Sequence, residues 1–436
     1  MAWSREDAAH LLRRAGFGGS LDDVERVYAL GQNGAIEFFV DYQATADPVW
    51  DNDNPFGLPD LTGQWDGVTI SLLYQMLTTR RPLEAKLLWF WHGHFTTPLT
   101  GVGNLLFHRQ MKTWRQHASG SFPQFLSAMF KDGGMLTYLN GSFSSKRQPN
   151  ENFAREVQEL YTTGPGPYTE DDIKEAARAL TGWEVKTANL TVNFNAANFD
   201  SGSKTFLGQT GNLGGEDIMR ILAQRPETAR RLSTKLYRAF VSERINLVDV
   251  SMLAASWTRS GGDIKTVMRT LFKLPSFWNP VNRGFIFKTP LEFAFGLVQR
   301  LRVPVDTTRM RNIVSSCTLM GQDPFDPPNP AGYATGLRLT GASMLIARTQ
   351  LASTLLNNWA TEDSISLLLT GITAPVSADT LITTVANRLG VPRLTADTRS
   401  NIANYLGAAP IAASALANKA RAVAFLLAVS PEYQVS

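Results

Sequence analysis

Apolar side chains recur at three- and four-residue intervals in one segment after another of this chain, the periodicity of helices with one buried face. The pattern is sharpest over 149–161. Phe153, Val157 and Leu160 form an apolar face there, and Asn152, Arg155, Glu156 and Glu159 fall beside it within an arc of about 100°. Pro149 before the stretch and Gly164 after it predict a helix of nearly four turns. Ser4 with Asp7 predicts a capping box for a helix through Arg14, stopped by Gly16, and Thr169 with Asp172 predicts another for 170–180. Further helices are predicted over 21–30, 83–95, 107–116, 122–130, 216–224, 226–241, 248–260, 264–274 and 289–301, with three or four more in the last hundred residues.

Two stretches break the helical rhythm. Period-two alternation over 190–195 and a short extended run over 204–207 predict a hairpin-like excursion around 185–209, with 200–204 at its tip. The loop 320–332 is proline-stiffened, and 47–67 is long enough to suggest a task of its own. The expected class is therefore mainly α: a large multi-helical globular protein with a small β-hairpin insertion. We expect one domain over 1–436, divisible into a helical half over 1–183, the β insertion over 184–212 and a second helical half over 213–436.

Composition narrows the function classes. A length of 436 residues with 44% apolar content supports a sizeable core. The net charge of +4 is mild and no basic run exceeds two residues, so nucleic-acid binding is unsupported. The single cysteine, Cys317, excludes an internal disulfide and reads as an inert buried thiol. No run of eighteen apolar residues predicts a membrane span, and the first residues hold no apolar leader segment, so the chain as written is expected in the cytoplasm. All five histidines lie in the first 117 residues. His92 and His94 are an i,i+2 pair that diverges on a helix, and His94 taken alone reads as a core or capping histidine. Trp89, Trp91, Trp114 and Trp183 sit at helical positions, where core packing is commoner than a sugar platform.

Several motifs, in order, carry a family resemblance: His10 to Gly18, Phe90 to Phe95, Asn150 to Glu156 with Glu159 and Leu160, and Tyr168 to Asp172. Ala179 to Trp183, Lys204 to Gly208, Gly321 and Gln322 with Pro327 to Asn329, and Ser430 to Tyr433 continue the set. The chain resembles, from end to end, the bacterial family named domain of unknown function 1800. Two positions depart from that family's pattern. Phe199 stands before Asp200 where relatives carry a histidine, and Tyr333 follows Gly332 where they carry tryptophan. A catalytic or ligating role for that histidine in relatives would imply weakened activity here. The resemblance also implies a partner: a co-encoded protein of domain of unknown function 1501, whose family tends to carry twin-arginine export signals, and so export in complex.

Three constellations compete around the central helix. In the first, Glu156 and Glu159 act as acid and base, with Arg155, Asn152, Lys204, Trp183 and Gln322 positioning a polar, carbohydrate-type substrate. In the second, His94, Glu156, Glu159 and Asp200 hold Mn, Fe or Zn. The third is structural: Arg155 and Asn152 buried at a helix crossing and paired with Glu156, Glu159 or Asp172. The leading expectation is a hydrolase-like enzyme, and the alternative is a non-catalytic partner or scaffold protein. The discriminating feature is whether Glu156 or Glu159 faces an opening or is buried in a pair.

Overall fold

Local chemistry decides where many of the helices begin. Ser4 Oγ accepts from the Asp7 N–H at 3.2 Å and the Asp7 carboxylate accepts from the Ser4 N–H at 2.9 Å, which opens the helix Arg5–Arg14. Thr169 and Asp172 open Glu170–Ala179 in the same way. The computed structural model describes residues 2–436 apart from Trp65, Thr187 and Pro392. Among the described residues helices hold 62% and the strands are four short segments, so the class is mainly α. The helices Pro82–His94, Pro226–Phe240, Leu247–Arg259, Ile264–Lys273 and Pro290–Leu301 lie within a residue or so of the periodicity.

The β excursion differs from the expected single hairpin. The alternating run becomes β2 (Thr191–Phe194), which pairs backward, antiparallel, with β1 (Trp183–Lys186). The second run becomes β3 (Lys204–Phe206), which pairs forward with β4 (Gln209–Gly211). Two small hairpins therefore replace one. The reason for the second lies in its turn: Leu207 and Gly208 both have positive φ, 45° and 82°, the backbone of a tight two-residue hairpin loop. Asp172, already the N-terminal box residue of its helix, also accepts from the Leu207 N–H at 2.8 Å and fixes that turn.

Buried apolar side chains from Ala8 to Tyr433 form one cluster. Trp89, Trp91 and Trp114 belong to it, as their helical positions suggested. The Trp91 indole N–H donates to the Ala118 carbonyl at 2.8 Å, and its ring packs with Phe95, Phe122 and Phe125. Cys317 is buried, and burial pushes its thiol up to about 12, which suits an unreactive side chain. Among the described residues no helix is long and apolar enough to cross a membrane.

The central helix is not uniform. It is α-helical over Glu151–Glu156 and then widens into a π turn over Val157–Tyr161. Widening turns Gln158 and Tyr161 inward with Val157 and leaves Leu160 half-buried, where an unbroken α-helix would have placed Leu160 on the core face.

The helix Gly215–Ala223 offers a test of core tightness. A Cβ on Gly215 would overlap the Phe130 ring, so the gain in helix propensity is opposed by overpacking. We expect Gly215→Ala to lose about 1–3 kcal/mol in chemical denaturation. An unchanged midpoint would show that Phe130 yields freely.

Candidate active site at the π turn

A π turn leaves backbone carbonyls that the ordinary helical ladder would have used. Here four of them, at Val157, Gln158, Leu160 and Tyr161, are met by side chains or a loop amide. The Thr162 hydroxyl donates to the Val157 carbonyl at 2.7 Å. The Gln158 carbonyl accepts from the Gly164 N–H at 3.0 Å and from the Thr163 hydroxyl at 3.2 Å. His94 Nε2 donates to the Tyr161 carbonyl at 3.1 Å, and Lys235 Nζ lies 3.5 Å from the Leu160 carbonyl. Gly164, with φ of 85°, admits the Arg231 guanidinium, which would clash with a Cβ there.

His94 and Lys235 are coupled. Lys235 Nζ is 2.9 Å from His94 Nδ1, and since Nε2 gives its proton to a carbonyl, Nδ1 is the acceptor of the lysine's. The imidazole is therefore neutral. Burial and then the Lys235 charge hold its pKa well below the usual histidine range. Burial and then Arg231 bring Lys235 down to about 7.

On the outer side, Arg155 reaches Glu170 through both guanidinium branches, at 2.7 and 3.0 Å, and approaches Glu159 at 3.7 Å. The Tyr168 hydroxyl donates to Glu159. Glu156 stands outside these pairings. It is half-buried, and burial, followed by the charge of Glu159, raises its pKa above the ordinary glutamate value. Its charge in turn acts on Tyr138 and Tyr161, and the Tyr161 hydroxyl is buried with no hydrogen-bond partner. The Tyr161 ring centroid lies 5.9 Å from that of His94.

The remaining expected residues are elsewhere. Asp200 is held by Arg178 at 2.7 and 3.2 Å, and this pairing keeps its carboxyl below the ordinary aspartate range. Lys204 is buried, donates to the Gly202 carbonyl at 2.9 Å and lies 4.9 Å from the Phe199 ring centroid. Trp183 packs edge-on against Phe130, which stacks on Phe153 of the central helix, so it is two rings removed. Gln322 is buried and its Oε1 accepts from the Leu291 N–H at 3.3 Å, a structural cap rather than a substrate contact. Asn152 is exposed.

Two expectations are therefore corrected. The set His94, Glu156, Glu159 and Asp200 does not assemble, because both His94 nitrogens are engaged and Asp200 belongs to Arg178. Among the described residues no three His, Cys, Asp or Glu side chains are placed to hold a metal ion. The buried network of Arg155 and Asn152 is also absent, since Arg155 is a third exposed and pairs at the surface. In the sequence, Lys235, Arg231 and Tyr138 are given no role, and Tyr168 is named only as the start of a family motif. The available signal for Lys235 was its i,i+4 spacing from Arg231 beside the buried Leu232 and Leu236, which sets two cations at the edge of an apolar face.

Residues 10–435 match the model of a family described as Protein of unknown function (DUF1800), essentially the whole chain. The chain belongs to this family. No curated protein and no solved structure matches it.

The shifted lysine makes a pH prediction. Its folded-state pKa lies below the unfolded value, so above about pH 7 the unfolded chain binds more protons and stability rises with pH. The thermal midpoint of the protein minus that of Lys235→Met should grow between pH 7 and 9, by on the order of 1 °C per pH unit. A constant difference would mean that Lys235 keeps an ordinary pKa.

Proposed function

We propose that the protein is a hydrolase-like enzyme acting on a polar, carbohydrate-type substrate, with Glu156 as proton donor. The supporting observation is the contrast between two carboxyl groups one turn apart. Glu159 is engaged by Arg155 and Tyr168, while Glu156 is left out of those pairings and has a raised pKa. Environments that differ in this way divide two carboxyl groups into acid and base. Glu156 would protonate the leaving oxygen while Glu159 accepts a proton from the attacking water, with Arg155 and Tyr168 keeping Glu159 in place. Screening against aryl glycosides and oligosaccharides tests this reading. Glu156→Gln should reduce turnover by roughly 10²-fold or more, and the rate should fall as pH rises through the raised Glu156 pKa. Full activity in Glu156→Gln would remove the assignment.

One observation favours a partner role instead. Leu247, Val248 and Met252, on the first turns of the helix Leu247–Arg259, are 64%, 68% and 48% exposed, an apolar cluster of the kind that marks association surfaces. On this reading the chain folds in the cytoplasm and leaves it with a co-encoded domain of unknown function 1501 protein bearing a twin-arginine signal. Cell fractionation should then find the chain outside only on co-expression, and Leu247→Asp with Val248→Asp should retain it inside. Export without the partner would contradict this reading.

A further inference from the structure

A second charged site is built from other elements than the π turn. The helices Arg5–Arg14 and Pro290–Leu301 and the turn Pro431–Gln434 border a small cleft that opens to solvent. Arg13, Lys288 and Arg300 face it, with Glu292 as the one acidic side chain and the terminal residue Ser436 also in the lining. Glu292 is already engaged: it pairs with Lys86 and accepts from the Thr289 N–H at 2.8 Å. The other ion pairs of this corner join Arg283 to Glu6 and Asp7, and none among the described residues reaches Arg13, Lys288 or Arg300. Arg300 is 7% exposed, and its Nη2 has no hydrogen-bond partner. Lys288 Nζ donates to the Tyr433 carbonyl at 2.7 Å and stands 3.5 Å from the ring centroid of the same residue.

Buried donors without acceptors and like charges held together both oppose folding. An anion in the cleft relieves both. Cations arriving from separate elements suit oxygens that point in several directions, as on a tetrahedral group, better than a planar carboxylate, which one guanidinium can satisfy. Gly296 keeps the space open, since a Cβ there would come within 3.1 Å of the Tyr433 hydroxyl. The mutual repulsion adds to the effect of burial. Burial and then Arg300 lower Arg13 to about 9, and burial and then Arg13 lower Lys288 well below the lysine range.

We propose that this cleft is a phosphate site, taking inorganic phosphate or the phosphate group of a phosphomonoester, with Arg300, Arg13 and Lys288 as its donors. It is independent of the acid–base reading at Glu156. Isothermal calorimetry on the full chain, with inorganic phosphate and with glucose 6-phosphate at matched ionic strength, tests it. Saturable binding of either is expected, weakened at least tenfold in Arg300→Gln and in Arg13→Gln. Binding of the free ion alone assigns the site to inorganic phosphate, and preference for the ester assigns it to phosphomonoesters. The second variant serves should Arg300→Gln fail to fold. No saturable binding by the unaltered protein, or undiminished affinity in a folded Arg300→Gln or Arg13→Gln variant, overturns the proposal.

Discussion

Backbone carbonyls that lose their helical partners in a buried place must find other donors, and the π turn Val157–Tyr161 creates several at once. The rest of the site follows from how they are met. Thr162, Thr163 and Gly164 serve those nearest in sequence. His94 is brought from the end of the helix Pro82–His94 for the Tyr161 carbonyl. Its other nitrogen then needs a donor, and Lys235 supplies one from the helix Pro226–Phe240. Three segments far apart in the chain are joined by one backbone irregularity. Glu159 lies on the turn and Glu156 immediately precedes it, so the position of one relative to the other depends on bonds made behind them.

Features with local causes were legible in the sequence. The boxes at Ser4 with Asp7 and Thr169 with Asp172 each use residues three apart and appear as expected. Burial of Trp91 and Trp114 follows from their helical spacing. Features with distant causes were not legible. Nothing between Val157 and Tyr161 announces a π turn, because what stabilises it includes His94 and Lys235, more than sixty residues away on either side. The two hairpins were misjoined because the turn at Leu207 places a leucine at positive φ, a conformation that its residue type does not advertise. Glu156, Glu159 and Arg155 were legible as neighbours because helical spacing alone groups them. Which of the carboxyl groups stays unpaired depended on Tyr168 and Glu170, and that was out of reach of spacing.

The segment around Asp200 shows how a charged motif can serve the fold. Asp200 meets Arg178, which also takes Glu175 at 2.9 Å, and the Asp200 N–H donates to the Thr181 hydroxyl at 2.8 Å. Lys204 completes the group by lying over Phe199, so the aromatic ring at that position offers a cation its face. An imidazole there would present nitrogen atoms instead.

A π turn is, in register, an α-helix that has taken in one extra residue. Each residue of an α-helix advances the chain by about 100°. Deleting one residue from Val157–Tyr161 would let the ordinary ladder close again and would swing everything beyond it by roughly that angle. Thr162, Thr163 and the Tyr161 carbonyl would no longer face their partners, although every side chain outside the deletion was unchanged. Chain length across this turn is thus a constraint separate from residue identity. A one-residue length change there rewrites the face on which Glu159 stands.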